Sequence, residues 1–242
     1  MNIDYGLPYV QKFALKKVVK SPVSARHTEF TVISSMDDDI SHPNQDLMKL
    51  SLEAISSANR ADMSPLFNRA RGGWWELNVW PGEHYKILAG IASILKPKVV
   101  IDIGTLLGGS AIILKHFAPQ AFVATFDIVP WYRFEKTLLS KADFNDGFVQ
   151  FIDDLSDYSQ MVKHKAILES ADLFFIDAAK DGLMEYKLLE NFSKISLKKG
   201  AILVWDDIRL WNMLKLWRQI HYPKLDLTSF GHWTGTGIVQ IR

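Results

Sequence analysis

Five short apolar runs alternate with stretches of helical periodicity over residues 98–220, and this alternation restricts the fold more than any other feature of the chain. The runs fall near residues 98–103, 121–126, 148–152, 172–176 and 200–205. Rich in Val, Ile and Phe and too short for helices, they read as strands buried on both faces. Helices are predicted between them at roughly 108–117, 132–142, 157–169, 182–195 and 208–220, and before them at 83–95, where Pro97 enforces a stop. Such alternation specifies a parallel sheet covered on both faces by right-handed crossovers. The last two runs, 224–230 and 237–241, lie too close together for a crossover helix and are expected to pair as an antiparallel hairpin. The expected domain, residues 81–242, is therefore α/β with seven strands. Residues 1–80 mix short helical patterns with turn-rich sequence such as Asp37-Asp38-Asp39 and read as a helical N-terminal appendage or lid.

The first run continues as Val99-Val100-Ile101-Asp102-Ile103-Gly104-Thr105-Leu106-Leu107-Gly108-Gly109-Ser110. Gly104 and Gly108 let backbone approach a neighbour closely, and the helix start that follows presents unpaired N–H groups. The segment is either a tight strand-to-helix turn or a loop for a nucleotide-type cofactor. Its frame, Asp102-x-Gly104-x-x-x-Gly108-x-Ser110, lacks the three-glycine spacing of dinucleotide sites, which argues against a nicotinamide dehydrogenase. Each of the first five predicted strands also ends in acid: Asp102, Asp127, Asp153 with Asp154, Asp177, and Asp206 with Asp207. In an open parallel sheet, ligands sit outside these carboxyl ends. One such aspartate is ordinarily a turn former or helix cap. Five in succession crowd like charges together and call for a cationic ligand or a metal.

The glycine frame resembles motif I of class I S-adenosylmethionine-dependent methyltransferases, whose Rossmann-like sheet also ends in a β-hairpin. The segments Asp172-Leu173-Phe174-Phe175-Ile176-Asp177-Ala178-Ala179-Lys180 and Ile202-Leu203-Val204-Trp205-Asp206-Asp207 narrow the resemblance to the metal-dependent O-methyltransferases, the group containing catechol and caffeoyl-CoA O-methyltransferases. The resemblance spans about residues 81–242. It implies that Asp102, Gly104, Thr105, Gly108 and Ser110 hold the methionyl part of S-adenosylmethionine. Asp127 would accept from ribose hydroxyls, and Asp153 would meet the adenine amino group unless it merely caps the next helix. Asp177, Asp206 and Asp207 would bind a divalent metal, for which oxygen donors suggest Mg²⁺, with Mn²⁺ or Ca²⁺ as alternatives. Asp177 and Lys180 would carry catalysis, with Lys180 as the base if burial depresses its pKa; otherwise Lys180 is a solvated lysine at a helix start. Two departures from the family pattern stand out: Asp207 replaces the usual asparagine, and Ala178-Ala179 are smaller than the residues common there.

The chain balances 28 basic against 27 acidic residues and so has no global field to draw nucleic acid or an anionic membrane. With no cysteine it has neither disulfides nor a thiolate nucleophile. No signal-peptide pattern opens it, and its best apolar stretch, residues 87–95, is too short to span a bilayer, so a cytoplasmic protein is expected. The resemblance implies transfer to a hydroxyl of a small molecule. Alternatives are a transfer RNA (hydroxyuridine) methyltransferase, with Arg69, Arg71, Lys96 and Lys98 as its basic cluster, and a non-catalytic or metal-independent S-adenosylmethionine-binding protein. The aromatic group Trp74, Trp75, Trp80 and Tyr85 and the turn at residues 231–237 either cover the site or are core and turn; the N-terminal aromatics also suit a homodimer contact. His232 is a base or a polar turn residue, and His84 and His116 read as helix-surface histidines.

Overall fold

Strand β1, Val99–Ile103, can lie inside the sheet, between β2 and β4, because its side chains are apolar on both faces apart from Asp102. The computed structural model describes residues 41–69, 83–145, 147–210 and 212–242. Before β1 come helices α1 (Gln45–Arg60), α2 (Ser64–Phe67) and α3 (Tyr85–Leu95). After it follow α4 (Gly109–Phe117), β2 (Phe122–Asp127), β3 (Phe148–Ile152), α5 (Tyr158–Lys163), α6 (Lys165–Ser170), β4 (Leu173–Ile176), α7 (Leu183–Phe192), β5 (Ile202–Asp206), α8 (Asn212–Gln219), β6 (Lys224–Asp226) and β7 (Thr236–Gln240). The sheet order is β3-β2-β1-β4-β5-β7-β6. Strands β1 to β5 are parallel, while β7 runs antiparallel to both β5 and β6. The seven-stranded α/β sheet with its terminal antiparallel pair is the expected one.

Strand side chains alternate between two apolar layers. Val100, Val123, Phe175 and Val204 pack against α1, α3 and α4, and Ile101, Ala124, Phe174 and Leu203 against the helices of the other face. Helix α1 starts where the Asn44 side chain accepts from the Leu47 N–H (2.8 Å). It places Leu47, Ala54 and Ala58 in the core, so this part of residues 1–80 is a layer of the fold. The contact is close: a Cβ on Gly90 of α3 would overlap the carbonyl oxygen of Ala54.

Two predicted helices differ from the structure. Residues 132–142 form only 3₁₀ turns at Trp131–Arg133 and Lys141–Asp143. Between the turns the chain crosses the glycine loop: the Leu138 N–H donates to Leu107 O (2.8 Å), and the Leu139 side chain fills the space that a Cβ on Gly108 would take. These tertiary contacts outweigh the weak gain from one more surface helix. The helix predicted at 157–169 is broken in two at His164, whose Nε2 lies 2.9 Å from Asp153 Oδ2.

Two glycine substitutions separate packing from backbone strain. Gly90→Ala should cost roughly 2 kcal/mol or more, because α1 and α3 must move apart. Gly200 has φ +86° but open space around it. Gly200→Ala should therefore cost only about 1 kcal/mol, the strain of a left-handed alanine. Urea unfolding of both variants checks the order.

Candidate active site

The turn after β1 is built by backbone contacts. Gly104 has φ +104°, and a Cβ there would overlap the carbonyl oxygen of Asp177, so this glycine serves the approach of β1 to the end of β4. The N–H groups of Gly104 and Thr105 donate to Phe126 O (2.9 and 3.2 Å), and Gly108 caps α4 in a left-handed conformation. The Leu106 N–H donates to Asp127 Oδ2 (2.8 Å), and the Val129 N–H to Asp127 Oδ1 (2.9 Å). The outcome is a cleft of about 400 Å³ lined by Gly104, Leu106, Asp127, Asp153, Asp177 and Lys180. A neighbouring recess of about 270 Å³ is lined by Glu83, His84, Tyr85, Thr105, Ser110 and Asp177.

The strand-end acids occupy different environments. Asp153 accepts from His164 and from Lys163 Nζ (3.1 Å), which hold its carboxyl below the usual range. Asp154 forms a turn, its Oδ1 accepting from the Ser156 N–H (2.8 Å). Asp102 is fully buried, so its carboxylate lies beneath the loop rather than on the cleft wall. Thr125 Oγ1 donates to its Oδ2 (2.5 Å) and also meets Thr105 Oγ1 (2.6 Å). Burial pushes the Asp102 carboxyl up to about 7, although the Thr125 and Ser110 hydroxyls pull the other way.

Asp177, Asp206 and Asp207 do come together. Asp207 has φ +57°, which turns the chain out of β5. Lys180 Nζ lies 3.0 Å from Asp177 Oδ1, 2.7 Å from Asp207 Oδ2 and 3.7 Å from Asp206 Oδ2. Lys180 is itself left-handed (φ +62°), and the buried Glu185 of α7 holds its loop by accepting from the N–H groups of Lys180 (2.7 Å) and Gly182 (3.0 Å). Burial alone would lower the lysine's pKa, but the three carboxylates reverse the sign and raise it. The depression expected from the sequence is therefore absent, and in this state Lys180 is a counter-charge.

Two histidines complete the cluster. His84, expected on a helix surface, is only 3 % exposed; its Nδ1 lies 3.3 Å from Asp206 Oδ1. Its position could have been anticipated, since a helix leading into a parallel strand runs back along it and starts at the strand's carboxyl edge. His232 places Nδ1 3.3 Å from both Asp206 Oδ2 and Asp207 Oδ1, and Nε2 3.4 Å from Glu83 Oε2. Burial opposes its charge, yet Asp206 and Asp207 raise its pKa to about 10. For Asp206, burial is outweighed by His84 and His232, and its carboxyl is lowered. Asp177 moves the other way, raised by burial and by the Asp206 charge. Trp74, Trp75, Trp80 and Arg71 lie outside the described residues, and Arg69 is paired with Asp143 at 2.6 Å. Among the described residues no helix is long and apolar enough to cross a membrane.

A family model described as O-methyltransferase matches residues 66–217. The chain belongs to that family. One O-methyltransferase relative, catechol O-methyltransferase B of Danio rerio, is 31% identical over 138 residues, which cover 55% of this chain and 51% of the relative. The chain thus spans about half the length of that curated relative. Among solved structures, the O-methyltransferase TomG of Streptomyces achromogenes, in complex with SAM, aligns with a TM-score of 0.51 at 16% identity, covering 79% of this chain and 96% of TomG. The SAH-bound methyltransferase PaMTH1 of Podospora anserina aligns with a TM-score of 0.53 at 14% identity, covering 100% of this chain and 99% of PaMTH1. At these identities the structural likenesses speak for the fold.

The Asp102 carboxyl makes stability depend on pH. It titrates at about 7 in the folded protein against 3.8 otherwise, so the folded state holds the extra proton between those values. Stability therefore falls as pH rises through this window and is level above it. Asp102→Asn should be more stable than the parent above pH 7 by on the order of a few kcal/mol, with the difference vanishing toward pH 4. Unfolding midpoints of both proteins in chelator-treated buffer across this range provide the measurement.

Proposed function

We propose that this chain is an S-adenosylmethionine-dependent O-methyltransferase that acts on a hydroxyl of a small molecule with help from a divalent ion. The observation that carries the reading is the convergence of Asp177, Lys180, Asp206 and Asp207 on the edge of the cleft formed by the glycine loop and Asp127. The relative named for catechol methylation and the solved structure holding SAM support the same assignment.

The residues suit the donor. Each Asp127 oxygen accepts one backbone N–H and keeps a lone pair free for a ribose hydroxyl. Asp153, with its carboxyl held ionised, lies on the same cleft wall and can accept from an adenine amino group. The methionyl part would follow Gly104, Thr105, Gly108 and Ser110 toward the recess, with Asp102 acting through the loop it supports.

The residues also suit a dication. Buried carboxylates at neighbouring strand ends repel one another, and the buried His84 Nδ1 lacks a well-aligned hydrogen-bond partner. When bound, a divalent ion would supply Lewis acidity that lowers the pKa of an acceptor hydroxyl. Transfer itself is a displacement: the acceptor oxygen forms a bond to the sulfonium methyl carbon, the carbon–sulfur bond breaks with its electron pair left on sulfur, and the hydroxyl proton departs. Lys180 Nζ takes that proton in the neutral form, which it can adopt once the acids around it are otherwise compensated.

Calorimetry with S-adenosylmethionine, with and without added Mg²⁺, tests the reading. Cofactor should bind in the micromolar to millimolar range. Lys180→Met should keep that binding yet lose roughly 10²-fold or more in turnover of a catechol-type acceptor. No heat of cofactor binding at about millimolar concentration ends the proposal, and full turnover by Lys180→Met removes the lysine from it.

A further inference from the structure

His84 lies nearer to the two facing carboxylates than the role of a helix-surface histidine would allow. We infer that the divalent-ion site is built from His84, Asp177 and Asp206, one imidazole and two carboxylates, and prefers first-row transition-metal dications to Mg²⁺. This rests on the metal-assisted reading above and changes both its third ligand and its ion.

Candidate ligand atoms of His84, Asp177 and Asp206 all lie within 4.8 Å of one another. Two ligands sharing one ion at about 2.1 Å each are separated by roughly 3.0–3.4 Å in octahedral or tetrahedral geometry. The 3.3 Å between His84 Nδ1 and Asp206 Oδ1 fits that range. His84 Nδ1 is buried without a well-aligned hydrogen-bond partner, whereas Asp177 Oδ1 has Lys180 Nζ at 3.0 Å. A buried ring nitrogen left this way is costly unless something else satisfies it. The imidazole is also fixed in place, its ring 4.4 Å from that of Tyr85 and 4.8 Å from that of Phe175.

Asp207 is engaged elsewhere. One of its oxygens receives Lys180 Nζ at 2.7 Å, and the other receives the Thr234 hydroxyl. His232 Nδ1 lies 3.3 Å from each of the two Asp206 oxygens, and its Nε2 is near Glu83, so it orients Asp206. A nitrogen donor matters for the choice of ion. Magnesium favours oxygen ligands throughout, whereas imidazole raises affinity for Mn²⁺ and, more strongly, Co²⁺ or Zn²⁺.

The test uses the full chain, stripped with chelator, then titrated with Mg²⁺, Mn²⁺ and Co²⁺ and examined by pulsed electron paramagnetic resonance with Mn²⁺ bound. Mn²⁺ should bind roughly tenfold, and Co²⁺ roughly a hundredfold, more tightly than Mg²⁺. The Mn²⁺ signal should carry ¹⁴N modulation that converts to ¹⁵N coupling when the protein is labelled with ¹⁵N-histidine. The coupling should persist in His232→Asn and vanish in His84→Phe. Asp207→Asn should hold Mn²⁺ within roughly threefold of the parent, whereas Asp177→Asn should lose tenfold or more. Should His84→Phe fail to fold, the labelled parent and His232→Asn still decide the ligand. Mn²⁺ binding without nitrogen coupling, or coupling lost in His232→Asn, overturns this inference and leaves metal assistance standing. Absence of any dication binding at millimolar concentration overturns both.

Discussion

Gly104 and Asp177 stand so close at the middle of the sheet that no side chain fits between them. The contact follows from the parallel pairing of β1 with β4, in which Ile103 sits beside Ile176 and the next residue of each chain leaves the sheet at the same level. It joins the two halves of the site. The loop that leads from Gly104 into α4 carries the groups facing a cofactor, and Asp177 begins the acidic cluster. A glycine that looks suited to a ligand's approach is in fact required by backbone already present, and the cofactor cleft forms beside that junction.

Around the junction, charge is balanced by position. Three carboxylates at the ends of β4 and β5 would be mutually destabilising in a dry site, and the surrounding cations each take a different share. Lys180 spans Asp177 and Asp207, His84 and His232 flank Asp206, and Glu83 engages the far side of His232. The opposite shifts of Asp206 and Asp177 follow from this arrangement: Asp206 has both imidazoles beside it and is lowered, whereas Asp177 feels Asp206 and is raised.

What could be read from the residues divides by the range of the forces involved. Strands β1 to β5 were legible because burial on both faces demands continuous apolar runs, and the terminal pair because its connection is too short for a crossover. The acids were legible as a class for the same reason, since each marks where a run stops. Residues 132–142 were not, because their conformation depends on Leu138 and Leu139 meeting the glycine loop, a contact with no local signature. His84 was misread for a related reason. Its partner Asp206 is far along the chain, and only the antiparallel run of α3 against β1 carries it to the carboxyl edge of the sheet.

The same geometry explains why Lys180 cannot be judged from its burial alone. Desolvation would favour the neutral amine, but the ammonium lies within ion-pair distance of three carboxylates, and the attraction wins. Its left-handed backbone and the grip of Glu185 on its loop point the amine at the acids rather than into solvent. A lysine built this way changes its proton affinity with the charge of the cluster it faces. Whatever compensates Asp177 and Asp206 in its place weakens the hold on its proton, so occupancy of the acidic site and basicity of Lys180 are coupled through the same few oxygens.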